Sequence, residues 1–104
     1  MKNDVLAFFR DDLGLGDDEA APLYESFMES FGAIVRDLRV ASDSDFMELR
    51  RITHAIIGFS QNVGAIDLFE AAKSLNASAK AADTAACHAG AEQIISLYDA
   101  YLNG

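Results

Sequence analysis

The stretch RRITHAIIGFSQNVGA, residues 50–65, indicates the fold of the chain because its apolar and polar residues separate at helical spacing. At about 100° per residue, one side of a helix here collects mostly apolar side chains. The members of this stripe are Leu49, Ile52, Thr53, Ile56, Phe59, Ser60 and Val63. His54 lies about 160° from the centre of the stripe, on the same side as Gly58 and Gln61. The stretch therefore predicts a helix that buries one face and exposes a histidine on the other.

Gly58 is unexpected on this helix, because a glycine in a helix interior costs about 1 kcal/mol relative to alanine. It lies one turn after His54 on the exposed side, where nothing in the helix itself requires a glycine. We expect the missing side chain to leave room for a group that approaches the imidazole.

The same stretch resembles the signature of histidine-containing phosphotransfer (HPt) domains, the phosphoryl carriers of multistep two-component phosphorelays. In that family the active helix has the histidine, two further residues, usually a lysine, then a glycine, a small residue, a serine and a Gly-Ala pair. The residues in register with this pattern are His54, Gly58, Ser60, Gly64 and Ala65. The apolar spacing continues the likeness at Leu68, Ala72 and Leu75. Ile57 replaces the usual lysine.

Composition predicts a single small all-α domain over residues 1–104. Hydrophobic residues make up 51% of the chain, which is enough for one small core. The chain has one proline and seven glycines, and its β-branched residues do not form alternating runs. An all-helical fold follows from this composition.

Charge and cysteine content restrict the partners and the compartment. A net charge of −9 and a pI near 4.4 argue against binding to nucleic acid or an anionic membrane, because both require a basic face. Cys87 is the single cysteine, as expected in a reducing cytoplasm. Neither a signal peptide nor a stretch of ~20 apolar residues is visible. We expect a cytoplasmic monomer, and the initial Met1 favours a free-standing protein over a piece of a larger kinase.

Apolar spacing predicts five helices. The first, residues 3–13, is short and amphipathic. The four longer helices span residues 18–41, 44–63, 66–82 and 84–102. Asp43 or Ser44 is the predicted cap of the helix that carries His54. Four long helices with short connections predict an antiparallel up-down four-helix bundle, with the N-terminal helix covering one end.

The HPt resemblance implies that His54 is the phosphorylated residue. A histidine at neutral pH keeps one ring nitrogen free of a proton, and an N–P bond formed there passes readily to a carboxylate. A lone exposed histidine is more often without a function, but Gly58 and the family register favour phosphotransfer here. The chain would be a carrier rather than an enzyme and would need no cofactor of its own. The resemblance implies response-regulator receiver domains and a hybrid sensor histidine kinase as partners, with Mg²⁺ supplied by the receiver.

Four polar residues are predicted neighbours of the phosphoryl group. Gln61 could donate a hydrogen bond to phosphate or to a partner, although a solvated side chain explains it equally well. By family register, Asn76 takes the place of a Gln or Glu on the adjacent helix, where its shorter amide reaches less far. Lys73 lies one turn earlier on that helix, and Arg50 lies one turn before His54.

Ile57 leaves three interpretations open. Lys73 or Arg50 compensates in part for the missing lysine, or the isoleucine widens an apolar docking surface, or phosphotransfer is weak or lost. The predicted docking residues are Ala55, Ile57, Gly58, Phe8, Phe9 and Leu13.

Two alternatives to a carrier remain. One is an adaptor of HPt shape that binds receivers without efficient transfer, which Ile57 and Asn76 favour. The other is a plain helical interaction domain in which the motif is accidental. A metal site at Cys87 and His88 is not expected, because adjacent helical residues point about 100° apart and no further Cys or His completes a zinc set.

Overall fold

A computed structural model describes residues 2–104, which form five α-helices and contain no β-strand. The helices are α1 (Lys2–Asp11), α2 (Asp17–Val40), α3 (Phe46–Asn62), α4 (Ile66–Lys80) and α5 (Thr84–Asn103). The predicted all-α class is confirmed, and each helix begins and ends within two residues of its predicted bounds. Within residues 2–104, no helix has both the length and the apolar character that crossing a bilayer requires.

The four long helices contact one another in a ring. Helix α2 contacts α3, α3 contacts α4, α4 contacts α5, and α5 returns to α2. Helix α1 packs on α2. Helices α3 and α4 run antiparallel, because Thr53 bonds to Asn76 whereas Gln61, further along α3, lines a depression with Phe69, earlier in α4.

The predicted apolar face of α3 is buried. Six of its seven members are buried, and Phe59 is half-buried. Aromatic rings from α2 pack against this face, with the Phe27 and Phe31 centroids 5.8 and 6.4 Å from that of Phe59. Burying this face fixes the rotation of α3, and the opposite face, which carries His54, is therefore exposed.

The start of α3 differs from the prediction. The cap is Asp45, not Asp43 or Ser44, and its carboxylate accepts a hydrogen bond from the Glu48 amide at 3.2 Å. Asp43 lies instead 2.9 Å from Nδ1 of His88, which ties the α2–α3 connection to α5. The predicted cap was wrong: Asp43 contacts His88 and Ser44 bonds Ser42, so neither side chain caps α3.

The end of α3 depends on Gly64. Its φ of +69° is in the left-handed region that glycine adopts without strain. The Ala65 amide donates to the Ser60 carbonyl at 3.0 Å, which closes the helix in the usual glycine-terminated geometry. A Cβ on Gly64 would lie 2.6 Å from the ring of Phe8, so α1 covers this connection closely.

Candidate functional site

His54 is exposed in the middle of α3, and its side chain makes no hydrogen bond or ion pair with any residue of the described chain, 2–104. His88, the other histidine, is bonded to Asp43 at 2.9 Å. Both rings reach solvent, but only that of His54 has both nitrogens available to a ligand.

Gly58 lies one turn further along α3 and is also exposed. A Cβ built on it would meet no heavy atom within 4 Å. The two other glycines inside helices differ, since a Cβ on Gly32 would lie 2.9 Å from the Tyr98 hydroxyl and one on Gly90 would lie 3.1 Å from Leu75 Cδ1. Close packing explains Gly32 and Gly90, and it does not explain Gly58.

A shallow depression of 270 Å³ lies on the N-terminal side of His54. Met47, Arg50 and Arg51 line it together with the histidine. Arg51 bonds Glu48, with 2.6 Å between Nε and Oε1, and this hydrogen bond is the main reason that the pKa of Arg51 is raised. Arg50 has no ion pair within residues 2–104. It is therefore a guanidinium beside His54 that is available to an anion.

The charge of α3 also favours the binding of an anion. It carries two arginines and one glutamate, and no other helix of the described chain has more basic than acidic residues. The exposed histidine thus lies on a locally positive helix of a protein whose net charge is −9.

Comparisons with protein-family models, with curated proteins and with solved structures found no match. A function for this chain is therefore inferred from its own residues.

Asn76 of α4 contacts Thr53, the residue that precedes His54 in α3. The buried Thr53 hydroxyl lies 3.2 Å from the Asn76 side-chain oxygen and 2.9 Å from the Arg50 carbonyl. Because a hydroxyl has one proton, these two acceptors compete for it. The contact fixes the Asn76 amide within the α3–α4 interface, next to the predicted site.

Lys73 extends away from His54. Its ammonium lies 5.1 Å from the centroid of the Phe69 ring, a favourable cation–π position. Phe69 lies at the level of Gln61, with which it lines a depression two turns beyond His54. Gln61 is exposed, and its side chain makes no hydrogen bond within residues 2–104. Lys73 thus lies over a ring that shares a depression with Gln61, and it does not line the depression that contains His54.

The predicted docking residues are not equally accessible. Ala55 is exposed, Ile57 is half-buried against the core, and Leu13 is 48% exposed. Phe8 is half-buried over Gly64. The prediction is wrong for Phe9, which has no exposed surface and cannot contact a partner of the folded chain.

Sequence analysis missed Met47 as a member of the site. Met47 is 85% exposed and lies seven residues before His54, almost two full turns, on the same side of α3. The helical spacing that placed Gln61 seven residues after His54 would have placed Met47 equally well.

Cys87 is buried in the core, and its neighbour His88 is bonded to Asp43. Burial, followed by the nearby charges of Asp83 and Asp43, raises the pKa of the Cys87 thiol and makes it a poor nucleophile. Across residues 2–104, no three His, Cys, Asp or Glu side chains are close enough to hold a metal ion.

Proposed function

We propose that this chain is an HPt-like phosphocarrier, in which His54 accepts a phosphoryl group from the aspartate of one receiver domain and passes it to another. One observation supports this most strongly. An exposed histidine without an internal partner is followed, one turn on, by a helix glycine that faces open space. The helix bears the cost of this glycine, about 1 kcal/mol, without any packing benefit. A partner that must close over the imidazole would explain it.

The proposal includes an antiparallel up-down bundle of α2 to α5, with α1 over one end. The ring of helix contacts, the antiparallel α3 and α4, and connections of five residues or fewer support this topology. The middle of α3 then lies on the side of a rod that measures 43 × 20 × 17 Å, where a second domain has access to it.

The chemical step requires little from the carrier besides its histidine. The unprotonated ring nitrogen attacks the phosphorus of an aspartyl phosphate, and the N–P bond forms while the P–O bond to the carboxyl group breaks. The electron pair of that bond leaves on the carboxylate. The ring is then a phosphorylated imidazolium, which loses its remaining N–H proton to solvent. Transfer to the next receiver reverses these steps.

The partner supplies the remaining parts of the reaction. Receiver domains, one of them belonging to a hybrid sensor histidine kinase, would bring the aspartate and Mg²⁺, so the carrier needs no cofactor and is not an enzyme by itself. We place the chain in the cytoplasm as a monomer that meets each receiver transiently.

The direct test is incubation with a labelled, phosphorylated receiver. We expect acid-labile, alkali-stable label on wild type and on His88→Gln, and no label on His54→Gln. His88→Gln is the matched control, since both histidines are exposed on helices. Label that persists on His54→Gln, or its absence from wild type across a panel of receivers, would contradict the proposal.

An adaptor without efficient transfer is the second candidate. It is favoured by Ile57, which lies half-buried where the family has a lysine, and by the Lys73 ammonium over Phe69. An adaptor would bind receivers equally well as wild type and as His54→Gln, and neither would become labelled. A plain helical interaction domain would bind no receiver.

A further inference from the structure

Two exposed cations compete for the role of neutralising a phosphoryl group on His54. Arg50 lies one turn before the histidine on the same helix, and Lys73 lies on the neighbouring helix α4. Sequence spacing does not distinguish them. The side-chain surroundings do.

The histidine shares its depression with Arg50. Side chains on a helix lean toward its N-terminus, so the imidazole lies over the turn that contains Arg50 and not over the turn of Gly58. The depression contains His54, Arg50, Arg51 and Met47, and neither Ile57 nor Lys73 lines it. An anion on the imidazole would therefore meet arginine first.

Only one of the two arginines in the depression is available. Arg51 is held by Glu48 and lies 3.5 Å from Asp37, so its charge is already paired. Arg50 has no such pair within the described residues, and only its backbone carbonyl is engaged, by the Thr53 hydroxyl. The Arg50 guanidinium can thus turn toward an oxyanion without breaking an ion pair.

We propose that Arg50 and His54 together form an oxyanion site on the N-terminal side of the histidine, and that Arg50 neutralises the phosphoryl oxygens during transfer. This inference rests on the proposed function for the identity of the anion. Oxyanions suit the site because a guanidinium presents several N–H donors to phosphate oxygens. Gly58, on the other side of His54, then leaves room for the partner while Arg50 holds the phosphoryl group.

The site can be tested without a receiver by titrating the protein with inorganic phosphate and following the His54 ring protons by NMR. We expect saturable shifts in wild type, smaller shifts in Arg50→Gln, and recovery in Arg50→Lys. Arg39→Gln is the matched control, because Arg39 is also exposed and has no ion pair within residues 2–104. Equal shifts in Arg50→Gln and Arg39→Gln, or no shift in wild type, would overturn the oxyanion site.

The role in transfer is tested with phosphoramidate, a small phosphoryl donor that releases ammonia and requires no docking. We expect phosphorylation of His54 to slow by about tenfold or more in Arg50→Gln, as for the loss of a hydrogen-bond donor to a developing charge. Lys73→Gln and Arg39→Gln should change the rate by less than about twofold, because their exposed charges are distant and screened. A loss in Lys73→Gln as large as that in Arg50→Gln would overturn the assignment of the role to Arg50 alone. Wild type that no donor phosphorylates would instead refute the carrier function, which the phosphate titration does not measure.

Discussion

Gly58 and Gly64 lie six residues apart, and the fold requires only one of them. Gly64 ends α3 with a φ of +69° and lies so close to Phe8 that a Cβ would approach its ring to 2.6 Å. Gly58 has helical geometry, and a Cβ built on it would have no heavy atom within 4 Å. Gly64 is thus required by the fold of the chain, whereas we propose that Gly58 is required for the approach of a partner. Substitutions at the two sites should separate folding from transfer.

The largest effect is expected for Gly58→Leu on transfer from a receiver. A branched side chain beside the imidazole should obstruct the closing partner and slow transfer by about 100-fold, which corresponds to ~2.7 kcal/mol in the activation barrier. Initial rates with a phosphorylated receiver measure it. Folding should be intact, and labelling by phosphoramidate should fall much less because a small donor needs less room. Equal receiver rates in the variant and wild type would remove the proposed reason for Gly58.

Gly64→Ala should have the second largest effect, on stability. A left-handed conformation costs a non-glycine residue roughly 1–2 kcal/mol, and the contact with Phe8 adds to this, so we expect a loss of ~2 kcal/mol or more. Urea denaturation measures the change. Adding Phe8→Ala to Gly64→Ala should cost less than Phe8→Ala costs in wild type, because in the double variant removal of the ring also relieves the clash. Additive losses would show that the Phe8 contact is not the cause.

Gly58→Ala should stabilise the fold modestly. Alanine gains ~0.5–1 kcal/mol over glycine in a helix where it meets no neighbour. Gly90→Ala is the control inside α5, where a Cβ would lie 3.1 Å from Leu75 Cδ1 and 3.3 Å from its Cβ, and we expect no gain there. Thermal unfolding of both variants tests this contrast. A stabilisation by Gly90→Ala as large as that by Gly58→Ala would mean that the packing difference between the two sites has no energetic consequence.

The smallest effect concerns Cys87, one turn before Gly90 on the packed side of α5. Burial raises the pKa of its thiol, so near pH 8 the folded protein holds less thiolate than the unfolded chain. Stability should therefore decline slightly as pH rises above ~8.5, because only the unfolded thiol ionises there. Alkylation should be slow in buffer and fast in urea. Rapid alkylation of the folded protein would show that the Cys87 thiol is not buried in the packed side of α5.

Local pattern was sufficient for the helices and for the exposed histidine. The apolar stripe of α3 repeats at helical spacing, so its buried face and the outward direction of His54 follow from neighbouring residues alone. Helix ends were less certain, because residues 42–45, SDSD, offer four possible caps. Asp45 is the cap, and Asp43 contacts His88, a partner that is distant in sequence.

Tertiary contacts decided the points that sequence left open. Phe8 and Phe9 differ in exposure because α1 turns one of them fully into the core, and the sequence of α1 does not show which side faces α2. Arg50 and Lys73 were equivalent by spacing until the Phe69 ring and the depression beside His54 separated them. The position of Lys73 four residues after Phe69 was the available signal for the cation–π contact.

Phosphotransfer through His54 is tested by locating the phosphoryl group on the protein after incubation with a phosphorylated receiver. A proton–phosphorus correlation NMR spectrum of the isolated protein, recorded at alkaline pH where an N–P bond persists, measures which ring is coupled to phosphorus. We predict one phosphorus signal, coupled to the imidazole protons of His54. A signal coupled to His88, or no coupling to either ring although the receiver transfers its phosphoryl group to the protein, would refute phosphotransfer through His54.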